Sequence, residues 1–154
     1  MTITVPIPGR PALELDHLLL DFTGTLSLDG ALLPAIAERL NVLASDLQVT
    51  VLTADTFGTA RQALAGLPVE VRLIATGANK LAFVEALGAE RVAAVGNGCN
   101  DAAMLERAAL GVAVIGPEGA AAGLVSVADV VVTDIRAALD LLLHPLRLTA
   151  TLRE

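Results

Sequence analysis

The sequence predicts an α/β fold in which a central parallel β-sheet lies between two layers of helices, as in Rossmann-like domains. Short apolar runs alternate along the chain with amphipathic segments, which is the pattern of parallel strands joined by crossover helices. The length of 154 residues suits one domain, because a domain typically uses roughly 100 to 200 residues. We therefore expect residues 1–154 to form a single three-layer domain.

The predicted strands are the short apolar runs. They span residues 15–22, 48–52, 70–74, 91–95, 111–115 and 130–132. A hairpin is predicted at residues 27–33, where Asp29-Gly30 lies between apolar residues. No element is predicted for residues 1–14, and the tail 144–154 is too short to be a second domain.

The predicted helices fall between these strands. They span residues 34–43, 59–65, 79–87, 100–108 and 135–143, with a further turn around residues 119–124. Pro34 in a first turn and Asp134 as an N-cap are expected helix starts, and Gly88 is a plausible C-cap.

Composition excludes several functions. The formal charge of −7, without a run of Lys or Arg, argues against a nucleic acid or an anionic membrane as partner. The apolar stretches are interrupted before they reach the ~18 to 20 residues of a membrane span. The N-terminus lacks the pattern of a secretory signal, and the single cysteine, Cys99, cannot form an internal disulfide. We therefore expect a cytoplasmic protein without membrane insertion.

The first chemically informative motif is residues 18–26, LLLDFTGTL, in which an apolar strand delivers Asp21 into a glycine-containing turn. Ligands of open parallel sheets bind beyond the carboxyl ends of the strands. A carboxylate there can attack phosphorus and form an acyl phosphate, and the backbone and hydroxyl groups of Thr23, Gly24 and Thr25 could hold phosphoryl oxygens. The alternative is an Asp that only starts a turn.

Two further residues have both a functional and an ordinary interpretation. Thr53 ends the apolar run VTVLT and could donate to a phosphoryl oxygen, but a Thr in this place most often caps the next helix. Lys80 lies near a predicted helix start, where it could neutralise charge on Asp21 and on a phosphoryl group. An isolated Lys is more commonly a solvated surface residue.

The fourth motif is residues 92–101, VAAVGNGCND, an apolar strand that runs into a glycine turn. Asn97 and Asp101 offer oxygen ligands of the kind that Mg²⁺ prefers. Asp101 could equally be an ordinary residue in the first turn of a helix.

Together, the four motifs occur in the order of those of the haloacid dehalogenase (HAD) superfamily, which this sequence resembles. Within it, the motif around Asp21 is similar to the D-K-T-G-T-L of P-type ATPases, with Phe22 in place of Lys. Residues 52–60 resemble their L-T-G-D followed by T-A, and residues 95–105 resemble their V-G-D-G-x-N-D-A-x-x-L. The chain looks like a free-standing, capless relative of the sort called soluble P-type ATPases.

The resemblance implies a role for each matching position. Asp21 would be the phosphorylated nucleophile, and Thr23, Thr53 and Lys80 would complete the catalytic set. Mg²⁺ would be held by Asp21, Thr23, Asn97 and Asp101. The phosphate would be bound by a set at the strand ends, namely Gly24, Thr25, Thr53, Ala54, Lys80 and Asn100. Asp55 would lie at the rim without a catalytic step.

Two departures from the superfamily pattern bear on activity. Most HAD phosphatases have an Asp general acid and base where this chain has Thr23, and that role is typically worth ~10²- to 10⁴-fold in rate. Asn97 replaces a metal-binding Asp and brings no charge. We therefore expect slow turnover and a weaker metal site. The short connections between the motifs leave no room for a cap domain. Capless relatives either act on large substrates or close their sites with a neighbouring subunit, and the second case would make this chain a homo-oligomer.

Two functions follow from these observations. The first is a magnesium-dependent phosphohydrolase that acts on a small phosphomonoester through phospho-Asp21. The alternative is a regulatory module that accepts or binds phosphate with little turnover and could contact a transporter.

Glu118, in the segment VIGPEG after the fifth strand, could touch a substrate or the water shell of the metal, or could simply belong to a strand-to-helix turn shaped by Gly and Pro.

Overall fold

The protein is described here by a computed structural model that covers residues 1–55 and 57–154. Within these residues a six-stranded parallel sheet lies between two layers of helices. The predicted α/β fold is therefore confirmed.

The strands of the described residues include the parallel sheet and two small hairpins. In chain order they are β1 (Ile3–Ile7), β2 (Arg10–Leu15), β3 (His17–Asp21), β4 (Ser27–Leu28), β5 (Ala31–Leu32), β6 (Gln48–Thr53), β7 (Glu70–Leu73), β8 (Val92–Gly96), β9 (Leu110–Val114) and β10 (Val130–Val132).

The α-helices of the same residues are short. They are α1 (Ile36–Leu43), α2 (Ala60–Ala63), α3 (Gly77–Leu87), α4 (Ala102–Arg107), α5 (Ala122–Val127), α6 (Ile135–Leu143) and α7 (Pro145–Leu152). Two 3₁₀ turns, Ala89–Arg91 and Cys99–Asp101, precede β8 and α4.

The core lies on both faces of the sheet. Successive residues of a strand point to opposite faces: Leu18 and Leu20 of β3 join a cluster with α1, α6 and α7, whereas Leu19 joins a cluster with α3, α4 and α5. Because both faces are covered, the central strands are mostly apolar, as expected of buried parallel strands, and Thr50 of β6 is a buried polar exception.

The order of strands in the sheet decides where the functional edge lies. That order is β10-β9-β8-β3-β6-β7, so the chain builds outward from β3 in one direction and then returns to build in the other. Ligands of such sheets bind where the strand order reverses, outside the carboxyl ends. In this protein that place is the end of β3, next to β6 and β8.

The ends of the chain differ from the sequence prediction. Residues 1–14, for which no element was predicted, form most of the β1–β2 hairpin, and Leu15 ends β2 instead of starting the central strand. The predicted tail contains helix α7, which packs on β1. These elements stabilise each other across the length of the chain, a relation that local patterns do not reveal.

Helix boundaries shift by a few residues. Helix α1 begins at Ile36, two residues after Pro34, and α3 begins at Gly77, where the Thr76 side chain accepts the Asn79 N–H. The turn predicted around 119–124 continues into α5. Asp134 is the predicted N-cap, since its carboxylate accepts the Arg136 N–H at 2.8 Å.

The connections beside the functional edge are short. The described residues between β3 and β6 form the β4–β5 hairpin and α1, and those between β6 and β7 form α2. The described residues of these two connections form no further domain. None of the helices in the described residues has the length and apolar character needed to cross a bilayer.

Candidate active site

Asp21 is the last residue of β3 and lies at the centre of the functional edge. The chain then turns sharply, because the Phe22 carbonyl accepts three successive backbone N–H groups at 3.0–3.2 Å. Gly24 makes this turn possible with a φ of 75°, which costs glycine little. A Cβ on Gly24 would also lie 2.5 Å from the Asn97 side-chain nitrogen, so the turn packs tightly against the loop after β8.

Lys80 links this strand end to the loop after β8. Its Nζ donates to Asp21 Oδ1 at 3.1 Å and to Asp101 Oδ1 at 2.7 Å. Lys80 and Asp101 are both 0% exposed, and Asp21 is 6% exposed. Lys is almost never fully buried unless it is paired with an opposite charge. Lys80, in the first turns of α3, is therefore a cation of the site and not a solvated surface residue.

Asp21, Asp101 and Lys80 form a cluster of two carboxylates and one cation. This excess of negative charge shifts the pKa values of Asp21 and Lys80. Burial, together with repulsion from Asp101, raises the pKa of Asp21 to about 7, although the Lys80 cation acts in the opposite direction. Burial lowers the pKa of Lys80, but the two carboxylates outweigh it and raise that pKa above its ordinary value. An additional positive charge beside Asp21 would therefore favour its ionised form.

Asp101 organises the loop after β8. Its Oδ2 accepts the backbone N–H groups of Asn97 and Gly98 at 3.1 and 3.0 Å, while Oδ1 accepts from Lys80. Gly96 permits this approach, because a Cβ there would lie 2.4 Å from the Asp101 carboxylate. Both oxygens of Asp101 thus hold protein groups in place.

Thr25 and Asn97 connect the first motif to the fourth. The Thr25 hydroxyl lies 3.1 Å from Asn97 Oδ1 and 3.3 Å from Asp21 Oδ2, and it is completely buried. Asn97 also donates from Nδ2 to the Gly119 carbonyl at 3.1 Å. These bonds orient the Asn97 amide with its oxygen toward Thr25 and the Asp21 side.

Thr53 ends β6 beside Asp21. Its Oγ1 accepts the Asp55 N–H at 2.9 Å, and Asp55 in turn accepts the Ala60 N–H at the start of α2. A hydroxyl has one proton to donate in addition to its acceptor positions, and among the described residues the Thr53 proton is given no acceptor, so it can serve a ligand. Asp55, with a φ of 52°, is the residue that orients this hydroxyl.

A polar cavity of about 220 Å³ opens above these groups. Its lining contains six of the predicted site residues together with two others: Asp21, Thr23, Thr53, Ala54, Asn97, Gly98, Asn100 and Glu118. The other four predicted residues, Gly24, Thr25, Lys80 and Asp101, are buried in the layer behind that lining.

The sequence prediction omitted Gly98 and left Glu118 with three interpretations. The structure places Glu118 among the residues that line the cavity, and its Oε2 accepts the Asp29 N–H of the β4–β5 hairpin at 3.1 Å. Its position after β9, at the same edge as the other strand ends, was the available signal. Its hydrogen bond to a hairpin residue 89 positions away in the chain could not be predicted from the local sequence.

The donor chemistry of this cavity suits a hard divalent cation. Asp21, Thr23 and Asn97 line the cavity and carry a carboxylate, a backbone carbonyl and an amide oxygen, and Mg²⁺ typically uses one or two carboxylates and keeps several waters. The part of the chain that the structure describes contains no group of three His, Cys, Asp or Glu side chains arranged around one point. The site therefore fits a cation that takes neutral oxygens, water and substrate phosphate in addition to Asp21.

Two sequence comparisons find relatives of this chain. The sequence profile of the haloacid dehalogenase-like hydrolases matches residues 56–136. An uncharacterized protein of Methanocaldococcus jannaschii, MJ0073, is 47% identical over 79 residues, which are 49% of this chain and 85% of that protein.

Solved structures share the fold. The cobalt-bound deoxy-D-mannose-octulosonate 8-phosphate phosphatase of Haemophilus influenzae superposes with a TM-score of 0.71 at 17% identity, over 88% of this chain and 91% of that enzyme. The catalytic domain of the CPx-ATPase CopB-B superposes with a TM-score of 0.60 at 25% identity, over 72% of this chain and 45% of that protein. The predicted similarity to both HAD phosphatases and P-type ATPases is thus confirmed, and the profile match over more than half of the sequence shows that this chain belongs to the haloacid dehalogenase-like hydrolases.

Proposed function

We propose that this protein is a magnesium-dependent phosphohydrolase that acts on a small phosphomonoester through a phosphorylated Asp21. The observation that carries the proposal is the buried Lys80, which bonds both Asp21 and Asp101 directly beneath a polar cavity. Burying three ionised groups is costly, and such perturbed clusters in a cavity are typical of functional sites.

The proposed reaction has two steps. An Asp21 carboxylate oxygen forms a bond to phosphorus while the bond from phosphorus to the ester oxygen breaks, and the ester oxygen takes a proton from solvent water and leaves as the alcohol. Water then attacks the phosphorus of the acyl phosphate, which releases inorganic phosphate and restores Asp21. Covalent catalysis of this kind replaces one difficult displacement with two easier ones.

The surrounding groups would stabilise charge during both steps. Lys80 supplies a fixed cation beside the nucleophile, and the Thr53 hydroxyl keeps a proton to donate to a phosphoryl oxygen. Ala54 and Asn100, in the cavity lining, are the proposed further phosphate contacts. Gly24 and Thr25 would act from behind the lining, by holding the turn and the Asp21 carboxylate.

Magnesium is the proposed cofactor. Asp21, the Thr23 carbonyl and Asn97 would hold it, with Asp101 fixing the loop that carries Asn97. When bound, it would neutralise phosphoryl charge and favour the ionised form of Asp21. The Asn97 amide brings no charge to this set, so we propose modest affinity for the metal.

We propose that turnover is slow. Thr23 lines the cavity, and in the resemblance to HAD phosphatases it stands where their general acid would be; a hydroxyl is a poor acid at neutral pH. The same two residues, Thr23 and Asn97, favour the alternative function, a phosphate-accepting or phosphate-binding regulatory module, which could act on a transporter.

The first experiment is hydrolysis of p-nitrophenyl phosphate with and without magnesium. The wild type is compared with Asp21→Asn and with Asp46→Asn, which removes a carboxylate before β6, at the opposite end of the sheet. We expect activity that requires both magnesium and Asp21 and that is retained in Asp46→Asn.

A second assay separates the two candidate functions. The wild type is incubated with acetyl phosphate, and hydroxylamine-sensitive phosphate on the protein is measured by mass spectrometry. Phosphate that accumulates on the wild type without release supports the regulatory module. Hydrolysis that persists in Asp21→Asn contradicts the proposed mechanism.

A further inference from the structure

We infer that this site prefers phosphomonoesters whose leaving group is neutral or cationic, and that Glu118 imposes the preference. The inference rests on the proposed phosphohydrolase function, and it specifies the class of substrate for that activity.

The described residues of the cavity lining carry negative charge and no positive charge. Among the described lining residues, the charged side chains are Asp21 and Glu118, and the others are neutral. The nearby cation, Lys80, is fully buried behind the lining and is already bonded to two carboxylates. The described lining therefore offers a negatively charged leaving group no cationic side chain.

The leaving group of a bound phosphomonoester would point toward the open side of the cavity, where Glu118 lies. In phosphoryl transfer the attacking and leaving oxygens lie roughly in line across phosphorus. Asp21 is 6% exposed and attacks from the floor of the cavity, so the leaving group must point to the open side. Glu118 lies on that side, since it both lines the cavity and is exposed to solvent.

Glu118 is held at this position by contacts on two sides. Its Oε2 accepts the Asp29 N–H of the β4–β5 hairpin at 3.1 Å. Its Cβ packs against the turn that follows Asp21, because a Cβ on Gly24 would lie 3.3 Å away. The carboxylate is thus anchored between the hairpin and the nucleophile turn, and it presents one negative charge to whatever follows the ester oxygen.

Glu118 would therefore disfavour negatively charged leaving groups at the open side of the cavity, an effect that we call the charge filter. Because Glu118 is exposed, water and salt screen its effect, and we expect discrimination of about tenfold, which corresponds to about 1.4 kcal/mol. Esters with a carboxylate or a second phosphate in the leaving group would be poor substrates, whereas polyol and amino-alcohol esters would be accepted.

The test compares substrates that differ in charge at one position. Glycerol 3-phosphate and 3-phosphoglycerate share a three-carbon skeleton and differ in a hydroxymethyl group against a carboxylate. The ratio of their kcat/KM values is measured for the wild type, for Glu118→Gln and for Asp29→Asn. Gln keeps an oxygen for the Asp29 N–H and removes only the charge, and Asp29→Asn removes a nearby charge from outside the lining while leaving that N–H in place.

We expect a wild-type ratio of about ten in favour of glycerol 3-phosphate, a ratio within about twofold of one in Glu118→Gln, and a wild-type ratio that falls as salt is added. Phosphoethanolamine should be at least as good a substrate as glycerol 3-phosphate. A wild-type preference for 3-phosphoglycerate, an unchanged ratio in Glu118→Gln, or an equal effect of Asp29→Asn would overturn the role of Glu118.

The proposed function and the charge filter fail in different ways. If p-nitrophenyl phosphate and all three esters remain intact, the phosphohydrolase proposal fails. The filter is then measured as the ratio of dissociation constants of the same two three-carbon esters by isothermal titration calorimetry, with the same variants. Equal affinities in the wild type would overturn it.

Discussion

Removing the charge of Asp21 should stabilise the metal-free protein at pH 8 and not at pH 4. In the folded chain burial and Asp101 raise the pKa of Asp21 from 3.8 to about 7, against the effect of Lys80. Below pH 3.8 the carboxyl is neutral in both the folded and the unfolded state. Between pH 3.8 and about 7 the folded state retains a proton that the unfolded chain has lost, so the free energy of unfolding falls as the pH rises.

The size of the effect follows from the same values. Each pKa unit corresponds to 1.36 kcal/mol, so the loss would be complete above pH 7 and would reach at most about 4 kcal/mol. Asp21→Asn keeps the shape of the side chain and cannot ionise. It leaves the Lys80–Asp101 pair, with its 2.7 Å contact, as a balanced pair of charges.

The assay is urea unfolding in EDTA, followed by circular dichroism at pH 4, 5, 6, 7 and 8. The difference in unfolding free energy between Asp21→Asn and the wild type should grow across this series and reach a few kcal/mol. Asp46→Asn controls for net charge, and a slope that both variants share would be a net-charge effect. A difference that does not change with pH, or a wild type more stable than Asp21→Asn at pH 8, would refute the assignment of unfavourable charge burial to Asp21.

Three other substitutions test separate parts of the site. Lys80→Met leaves two buried carboxylates without their cation, and urea unfolding at pH 7 should show a loss of about 3–5 kcal/mol; a loss below about 1 kcal/mol would contradict the pairing. Thr23→Asp introduces a general acid and should raise kcat on p-nitrophenyl phosphate by up to ~10²- to 10⁴-fold, whereas Thr23→Asn should not. Gly24→Ala and Gly9→Ala both place Ala at a positive φ, but only at Gly24 would the new Cβ meet another group, 2.5 Å from Asn97. Gly9→Ala should cost about 1–2 kcal/mol, and Gly24→Ala should cost more in urea unfolding and also lower hydrolysis; equal costs would show that the turn can move.

The central sheet was predictable because its signal is local. Each inner strand is covered on both faces and is therefore mostly apolar, so β3, β8 and β9 are recognisable as apolar runs and β6 as an apolar run interrupted by Thr50. Asp21 and Thr53 give β3 and β6 polar ends, and Asn97 directly follows β8, at the carboxyl edge where a ligand can bind. A short sequence window contains all of this information.

The N-terminal hairpin and helix α7 were missed because their stability depends on contacts across the whole chain. Strand β1 pairs with β2 and packs on α7. Pro6, Pro8 and Pro11 break the strand pattern locally, although proline is tolerated at sheet edges. Contacts with distant segments, α7 against β1 and Arg91 with Glu14 of β2, add to the hairpin pairing and stabilise these segments as ordered elements.

The fold class, the order of the strand-end motifs and the chemistry of their side chains could be predicted from the amino-acid sequence, because hydrophobic periodicity and residue type are local properties. Tertiary structure alone decided which of those side chains reach the cavity. Strand order brings Asp21, Thr53 and the loop after β8 to one edge, and packing then turns Lys80 and Asp101 into buried supports while Glu118 enters the lining. The burial of a residue and its hydrogen-bond partners depend on segments far apart in the chain. A local stretch of sequence therefore does not predict which distant group a side chain will contact.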